Sequence, residues 1–415
     1  LKELKNNTRF GLFHHVVEER HYWGWVLDLV EPPRSVVACL DLHKAQPVAL
    51  LPKTAPPGNG NLTGFGARHR FQPMTNWIQS EAQLEERLSS PSAEDVAFFR
   101  ELEGDLIIIG VAGKMGPSLA RLATRAAQAS GVPRRIIGVS RFSTPSSEQL
   151  LQQAGVETVR TDLLDAGAVA ALPDARNVIF MAGRKFGSTG AESLTWAMNA
   201  YLPALIAERY RHSRIVSFSS GNVYPLVPVD SGGATEETAP APTGEYAQSV
   251  LARERIFEHF SRRLEIPVTL LRLNYAIDLR YGVLLDIGSK VFAGQPVDVT
   301  MGAVNVIWQG DANSVALRSL AHCQSPPFIL NLTGLETLSV RTLAHRFGEI
   351  FGKAPRIEGK EAATGLLNNA SLCHRLFGGP SVTVEQMIDW TAHWITSEGA
   401  TLNKPTHFES RDGKF

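Results

Sequence analysis

The sequence has no surplus charge of either sign: 41 Lys and Arg stand against 41 Asp and Glu over 415 residues. No global field therefore draws the protein to nucleic acid or to an anionic membrane, and a small molecule is the expected partner. Cysteine is scarce. Cys39, Cys323 and Cys373 are odd in number, far apart and without a CxxC pair. That excludes a disulfide framework and a cysteine zinc site, and fits thiols kept reduced in a cytosol. His14, His15 and His21 lack a carboxylate or cysteine to complete a ligand set, so no metal is expected. Nothing approaches the ~18 consecutive apolar residues of a membrane span, and LKELKNNTRF is not followed by the apolar core of a signal peptide. The expected location is the cytoplasm, where the Asn-x-Ser/Thr matches at Asn7, Asn61 and Asn331 have no route to glycosylation.

What is present is an ordinary globular composition, 44% apolar and 20% charged, in a chain long enough for two domains. Residues 1–73 stand apart, with the Pro- and Gly-rich KTAPPGNGNLTGFG from Lys53 to Gly66; they read as an extension, poorly ordered or unassigned. Residues 74–104 form a helical lead-in. Within it, SSPSAEDVAFFRELEG predicts a helix capped by Ser90, with Pro91 at its first position and Gly104 as its stop. Six short apolar runs follow: DLIIIG, RRIIGVS, VETVRTD, NVIFMAG, SRIVSFSS and PVTLLRL. They are too continuously apolar for half-exposed strands, and helix-length segments join most of them. This predicts a parallel sheet covered by helices on both faces, a doubly wound α/β domain over 105–275. Beyond it a smaller mixed α/β substrate region is expected over 276–398, partly interleaved with the sheet, followed by a tail at 399–415.

The first apolar run opens into GVAGKMG, containing Gly110, Gly113, Lys114, Met115 and Gly116, and then into the helix PSLARLATRAAQAS. Glycines between a strand and a helix allow a tight turn and close approach of a pyrophosphate to free helix N–H groups, the first turn of a Rossmann dinucleotide site. The second run ends in Ser140 and Arg141 instead of an acid. A carboxylate there would accept from the ribose of NAD. Ser140 removes its repulsion toward a 2′-phosphate, and Arg141 pairs with one, with Lys114 as a second cation. The cofactor expected is NADP, with NAD as the alternative; Arg141 also has a plain reading as a solvated strand-end charge.

With these pieces in order, the sequence from about Asp105 to Ile395 resembles the extended short-chain dehydrogenase/reductase family, in its NAD-dependent epimerase/dehydratase branch. Gly110, Gly113 and Gly116 match its GxxGxxG, Asp162 and Leu163 its acid-apolar pair beside the adenine, and Ala182 and Gly183 its small residues against the cofactor. Asn199 matches the helix asparagine. Ser220 in SSGNVYP and Tyr246 in GEYAQSVLARE match the catalytic Ser/Thr and Tyr, with Ser249 in the same helical turn. Asp311 falls in a segment like the family's strand-to-helix crossover, and LLNNASLCHRLFG with VEQMIDWTAHWI looks like its closing helices.

The resemblance implies an NAD(P)-dependent oxidoreductase acting by hydride transfer on a sugar or nucleotide sugar. Ser220 would polarise the substrate oxygen, Tyr246 would move the proton and Asn199 would support the site. The expected pocket walls are SSGNVYP, FGSTGAES and LNYAIDLRYG. The family's lysine four residues after the tyrosine is replaced by Val250. An unassisted tyrosine is only about 0.1% phenolate at neutral pH, so another cation is required. Lys185, with Arg184, is the candidate, as both follow the fourth run. Arg253, about two turns beyond Tyr246, is set aside on distance. Two alternatives stay open: a non-catalytic NADP-binding sensor or scaffold, and a homodimer.

Overall fold

The computed structural model describes residues 77–185, 187 and 189–414, together with the backbone of four strands between residues 8 and 52. The chain divides into two compact units, Leu1–Pro73 and Met74–Phe415. In the first unit, β1 (Thr8–Val17), β2 (Arg20–Leu29), β3 (Val36–Asp41) and β4 (Gln46–Pro52) form an antiparallel sheet in that order. The side chains of His14, His15, His21 and Cys39, and the sequon positions Asn7 and Asn61, lie outside the described residues.

In the second unit the lead-in forms two helices, α1 (Glu81–Leu88) and α2 (Ala93–Glu101). The cap of α2 is Ser92, not Ser90, and Pro91 precedes the helix. Ser92 Oγ accepts from Asp95 N at 3.1 Å while the Asp95 carboxylate accepts from Ser92 N at 2.9 Å. This reciprocal capping box satisfies two otherwise unpaired N–H groups. Ser90 instead donates to Glu86 O at 2.8 Å.

The six apolar runs are strands. β5 (Leu106–Ile109), β6 (Ile136–Ser140), β7 (Glu157–Arg160), β8 (Asn177–Phe180) and β9 (Arg214–Ser220) are followed by the two-residue β10 (Val227–Pro228) and by β11 (Val268–Leu273). With Phe328–Leu332 they make a seven-stranded sheet in the order Phe328–Leu332, β11, β9, β8, β5, β6, β7. Every pairing in it is parallel.

Alternation along β5 explains the apolar run. Leu106 and Ile108 enter one core with Leu119, Leu122 and Ala123, while Ile107 and Ile109 enter another with Val139 and Phe180. All four β5 residues are fully buried, each stabilising by about 1.5–3 kcal/mol. The helix α3 (Gly116–Ser130) covers the first of these faces and stops at Gly131, whose φ of 72° is the left-handed cap glycine adopts freely.

A third core gathers α9 (Val283–Phe292), α11 (Val340–Phe351) and α13 (Val384–Thr396) around Trp308, Trp390 and Phe347. Phe408, from the tail, is buried in the same core. The tail therefore folds onto the body.

Candidate active site

The strand order turns at β5 and β8, and in such sheets ligands bind outside the carboxyl ends of the strands at that turn. A cleft of about 680 Å³ lies here, lined by Gly113 and Lys114 from the glycine loop, Lys185 after β8, Ser220 at the end of β9, and Tyr246 and Arg253 from α8 (Gly244–Leu264).

The three glycines have different reasons. Gly110 has φ +92°, and a Cβ on it would lie 2.6 Å from the Ala182 backbone; one on Gly116 would lie 2.1 Å from Val111 O. These two close the turn and seat the helix. A Cβ on Gly113 would meet only Gly110 O, at 3.3 Å, so this glycine keeps the cleft itself open. Met115, the N-cap of α3, makes no side-chain cap, which leaves N–H groups of the first turn for an anion. The loop fits a dinucleotide pyrophosphate.

Lys114 departs from expectation. Its ammonium donates to Ala276 O at 3.0 Å and sits 3.7 Å from the Tyr281 ring centroid. Ala276 follows β11, on the opposite side of β5 from β6, so Lys114 is not beside Ser140 and Arg141. Burial pushes its pKa down to about 7, and the aromatic face and the carbonyl compensate part of the lost hydration.

At the end of β6, Ser140 is half-buried and Arg141 exposed. The guanidinium there that sequence reasoning missed is Arg160, which donates to Arg141 O at 3.1 Å and Phe142 O at 2.9 Å. Asp162 is exposed and accepts from Leu164 N at 3.1 Å, while Leu163 is buried.

Tyr246 lies in the first turn of α8 and hydrogen-bonds Ser220. Ser220 Oγ also accepts from Asn222 N at 3.2 Å. Val250 packs with Val223, Tyr224 and Ala234 in a small apolar cluster, a surrounding in which an ammonium would lack partners.

Arg253, set aside on distance, is buried, and its charge opposes the upward shift of the Tyr246 pKa. It donates to Phe218 O at 2.7 Å and to Asn199 Oδ1 at 2.8 Å. Helical side chains lean toward the N-terminus, so an arginine covers the turn before its own Cα; spacing alone hid this. A Cβ on Gly183 would lie 2.4 Å from Arg253 Nη2, so the small residue after β8 makes room for the guanidinium.

Asn199 sits in a π-helical turn, Ala197–Tyr201, the kind of irregularity that re-aims a side chain. Its Oδ1 also accepts from Arg184 N at 2.9 Å, and its Nδ2 donates to Arg184 O at 3.0 Å and Ser249 Oγ at 2.9 Å. It therefore ties the loop after β8 to α8.

Burial raises the Tyr246 pKa above its ordinary value, with Arg253 and the Ser220 hydrogen bond opposing. Burial also lowers Arg253 to about 10 and Lys185 to about 8, so both are cationic at neutral pH. Lys185 Nζ donates to Thr406 O at 3.4 Å and lies 5.9 Å from the Tyr246 ring centroid. The Arg184 guanidinium donates to Gly187 O at 2.9 Å. Of FGSTGAES, Phe186 and Ser188 lie outside the described residues. Asp311 accepts from Ser381 N and Oγ at 3.0 and 2.6 Å and does not line this cleft.

Beneath SSGNVYP runs a second polar group of residues missed in the sequence. Glu254 pairs with Arg272 at 2.7 Å with both side chains 2% exposed. Glu254 also accepts from Ser219 Oγ at 2.5 Å, and Arg272 donates to Tyr224 OH at 2.7 Å. Tyr224 donates to Asn331 Oδ1 at 2.9 Å. A lone arginine inside the apolar PVTLLRL was the available signal.

Residues 106–276 match the model of the NAD dependent epimerase/dehydratase family. No curated protein sequence matches the chain. Solved structures similar to it include the UDP-glucuronic acid 4-epimerase of Bacillus cereus in complex with UDP-glucuronic acid and NAD, 17% identical with a TM-score of 0.58 over 71% of this chain and 99% of that one. The UDP-glucose 4-epimerase of Thermotoga maritima with UDP-glucose is 17% identical, TM-score 0.58, over 71% and 99%. An epimerase of Methanothermobacter thermautotrophicus is 17% identical, TM-score 0.60, over 74% and 96%. At such identity these likenesses establish the Rossmann-type fold.

Among the described residues no helix is long and apolar enough to cross a membrane.

Proposed function

We propose that the protein is an NAD(P)-dependent oxidoreductase of the epimerase/dehydratase type acting on a sugar or nucleotide sugar, with Arg253 in place of the usual lysine. The observation that carries it is the meeting of the glycine loop, the hydrogen-bonded Ser220 and Tyr246, and buried Arg253 in one cleft. The glycine loop and the start of α3 would hold the pyrophosphate. Ser140 and Arg141, with Arg160 behind them, would hold the adenosine ribose and favour NADP over NAD. Asp162 and Leu163 would flank the adenine, and Ala182 and Gly183 would admit the nicotinamide half. When bound, the nicotinamide ring supplies the hydride acceptor and donor.

The chain's own residues handle the proton. Tyr246 is a phenol at neutral pH, as a tyrosine of ordinary pKa is, and burial moves its pKa further up, so it meets a substrate oxygen as a hydrogen-bond donor, with Ser220 as its partner. Arg253 stabilises the phenolate left when that proton moves. Asn199 holds Arg253 and the loop after β8 in register, and Lys185 adds a second cation 5.9 Å from the ring centroid.

Calorimetry tests the cofactor. NADP is expected to bind about tenfold tighter than NAD, and Gly113→Asp to weaken either by about 100-fold, about 2.7 kcal/mol, because a carboxylate enters the space kept for the pyrophosphate. Absence of both cofactors' binding at millimolar concentration sinks the proposal.

Arg253→Met is expected to slow turnover about tenfold to 100-fold, one to two pKa units of lost phenolate stabilisation, with cofactor affinity retained and partial rescue by Arg253→Lys. Measured kcat against nucleotide-sugar candidates decides it; an unchanged kcat in Arg253→Met, with a loss in Lys185→Met, reassigns the cation to Lys185.

A further inference from the structure

The tail is the element of the cleft that neither the sequence patterns nor the family match explains. Leu402, Lys404 and Thr406 line the cleft beside Tyr275, Tyr281 and Lys185. The segment is held at both ends. Leu402 N donates to Arg280 O at 2.9 Å. Thr406 donates to Asp286 Oδ2 through its N at 2.8 Å and its Oγ1 at 2.6 Å. Asn403 and His407, with φ of 50° and 53°, turn the chain on either side of Lys404 and Pro405. Beyond the arch, Phe408 is buried, Arg411 donates to Thr364 O at 2.7 Å, and Gly413 packs against Gly244 at the start of the helix bearing Tyr246.

The charge of this cleft is one-sided although the protein is neutral overall. Among the described residues, Lys114, Arg184, Lys185, Arg253, Arg280 and Lys404 line it, against Glu85 as the single carboxylate. Most of these cations are already engaged: Arg280 with Glu85 and Asp278, both at 2.7 Å, Arg253 with Phe218 O and Asn199, and Lys114 with Ala276 O and the Tyr281 ring. Lys404 is exposed on the arch and makes no hydrogen bond or ion pair among the described residues. It lines the same cleft as the tail residues Leu402 and Thr406 and as Tyr275 and Tyr281 from the segment after β11.

We propose that Leu402–Thr406 is an arch over the substrate end of the cleft, and that Lys404 on it binds an anionic oxygen of the substrate, from a phosphate or a carboxylate. This deepens the functional reading above and rests on it. Because the backbone on either side of Lys404 is already anchored, binding an anion orders only the lysine side chain, and a charge-assisted hydrogen bond from its ammonium discriminates against neutral sugars. Lys404 supports no other part of the fold, so its replacement leaves the anchors in place.

The test uses full-length protein saturated with NADP or NAD, titrated by calorimetry with UDP, with glucuronic acid and with glucose. Wild type is expected to bind at least one of the two anions and to bind glucose at least tenfold more weakly. In Lys404→Ala that anion weakens tenfold or more, and in Lys404→Glu further, with cofactor affinity unchanged. Dependence confined to UDP identifies a phosphate partner; dependence confined to glucuronic acid identifies a carboxylate. The proposal is overturned if both anions bind Lys404→Ala as tightly as wild type, or if neither binds the cofactor-loaded wild type. If neither cofactor binds but UDP still depends on Lys404, the oxidoreductase reading falls and the anion site stands.

Discussion

Tyr246→Phe should lower turnover by about 10²–10⁴-fold, the usual contribution of a positioned proton-transfer group, while leaving cofactor affinity and folding nearly unchanged. The ring is half-buried and its packing survives the substitution; what disappears is the hydroxyl that hydrogen-bonds Ser220 and responds to Arg253. A tyrosine of ordinary pKa is already protonated at neutral pH and burial raises the Tyr246 pKa further, so the lost function is first that of a proton donor to substrate oxygen. Initial rates on nucleotide-sugar candidates, followed by NMR of the products, give kcat, and calorimetry gives the cofactor affinity. A Phe variant as fast as wild type removes Tyr246 from the chemistry. Were a cellular phenotype intact in Tyr246→Phe and Ser220→Ala but absent in Gly113→Asp, the sensor alternative would replace the enzyme.

Glu254→Ala should destabilise the fold by about 3–5 kcal/mol, because it leaves Arg272 as a buried charge without its partner. The pair is bidentate, with Arg272 Nε and Nη2 donating to the two carboxylate oxygens at 3.0 and 2.7 Å, and both side chains are almost wholly buried. Removal also strands Ser219 Oγ, in the strand end that positions Ser220. Chemical denaturation of the variant against wild type measures the loss. A deficit under 1 kcal/mol would mean that water or rearrangement solvates Arg272. The double variant Glu254→Leu with Arg272→Met should recover part of the stability, since apolar residues of similar volume remove the unpaired charge.

Much of the sheet was legible because parallel strands buried on both faces have to be apolar at consecutive positions. DLIIIG could hardly be read otherwise between a capped helix and a glycine loop. The glycine positions were legible for the same kind of reason, since Gly110 and Gly116 sit where a single carbon atom has no room. The α2 cap was misplaced by two residues because Ser90 and Ser92 are equally good caps in isolation. The reciprocal bonds of Ser92 with Asp95, and the diversion of Ser90 to Glu86, decide between them.

Residue type and order by themselves determined the doubly wound parallel sheet and the glycine turn, because strand burial and glycine sterics enforce both locally; the pairing of Ser220 with Tyr246 was only what the family resemblance implied. Only the tertiary structure decided which cations serve the cleft. Arg253 reaches Tyr246's surroundings by leaning one turn back along α8, Lys114 turns away from Arg141 toward Ala276, and the tail carries Lys404 in from the far end of the chain. Long charged side chains take their direction from the carbonyls, rings and carboxylates packed around them, and that information does not reside in sequence spacing.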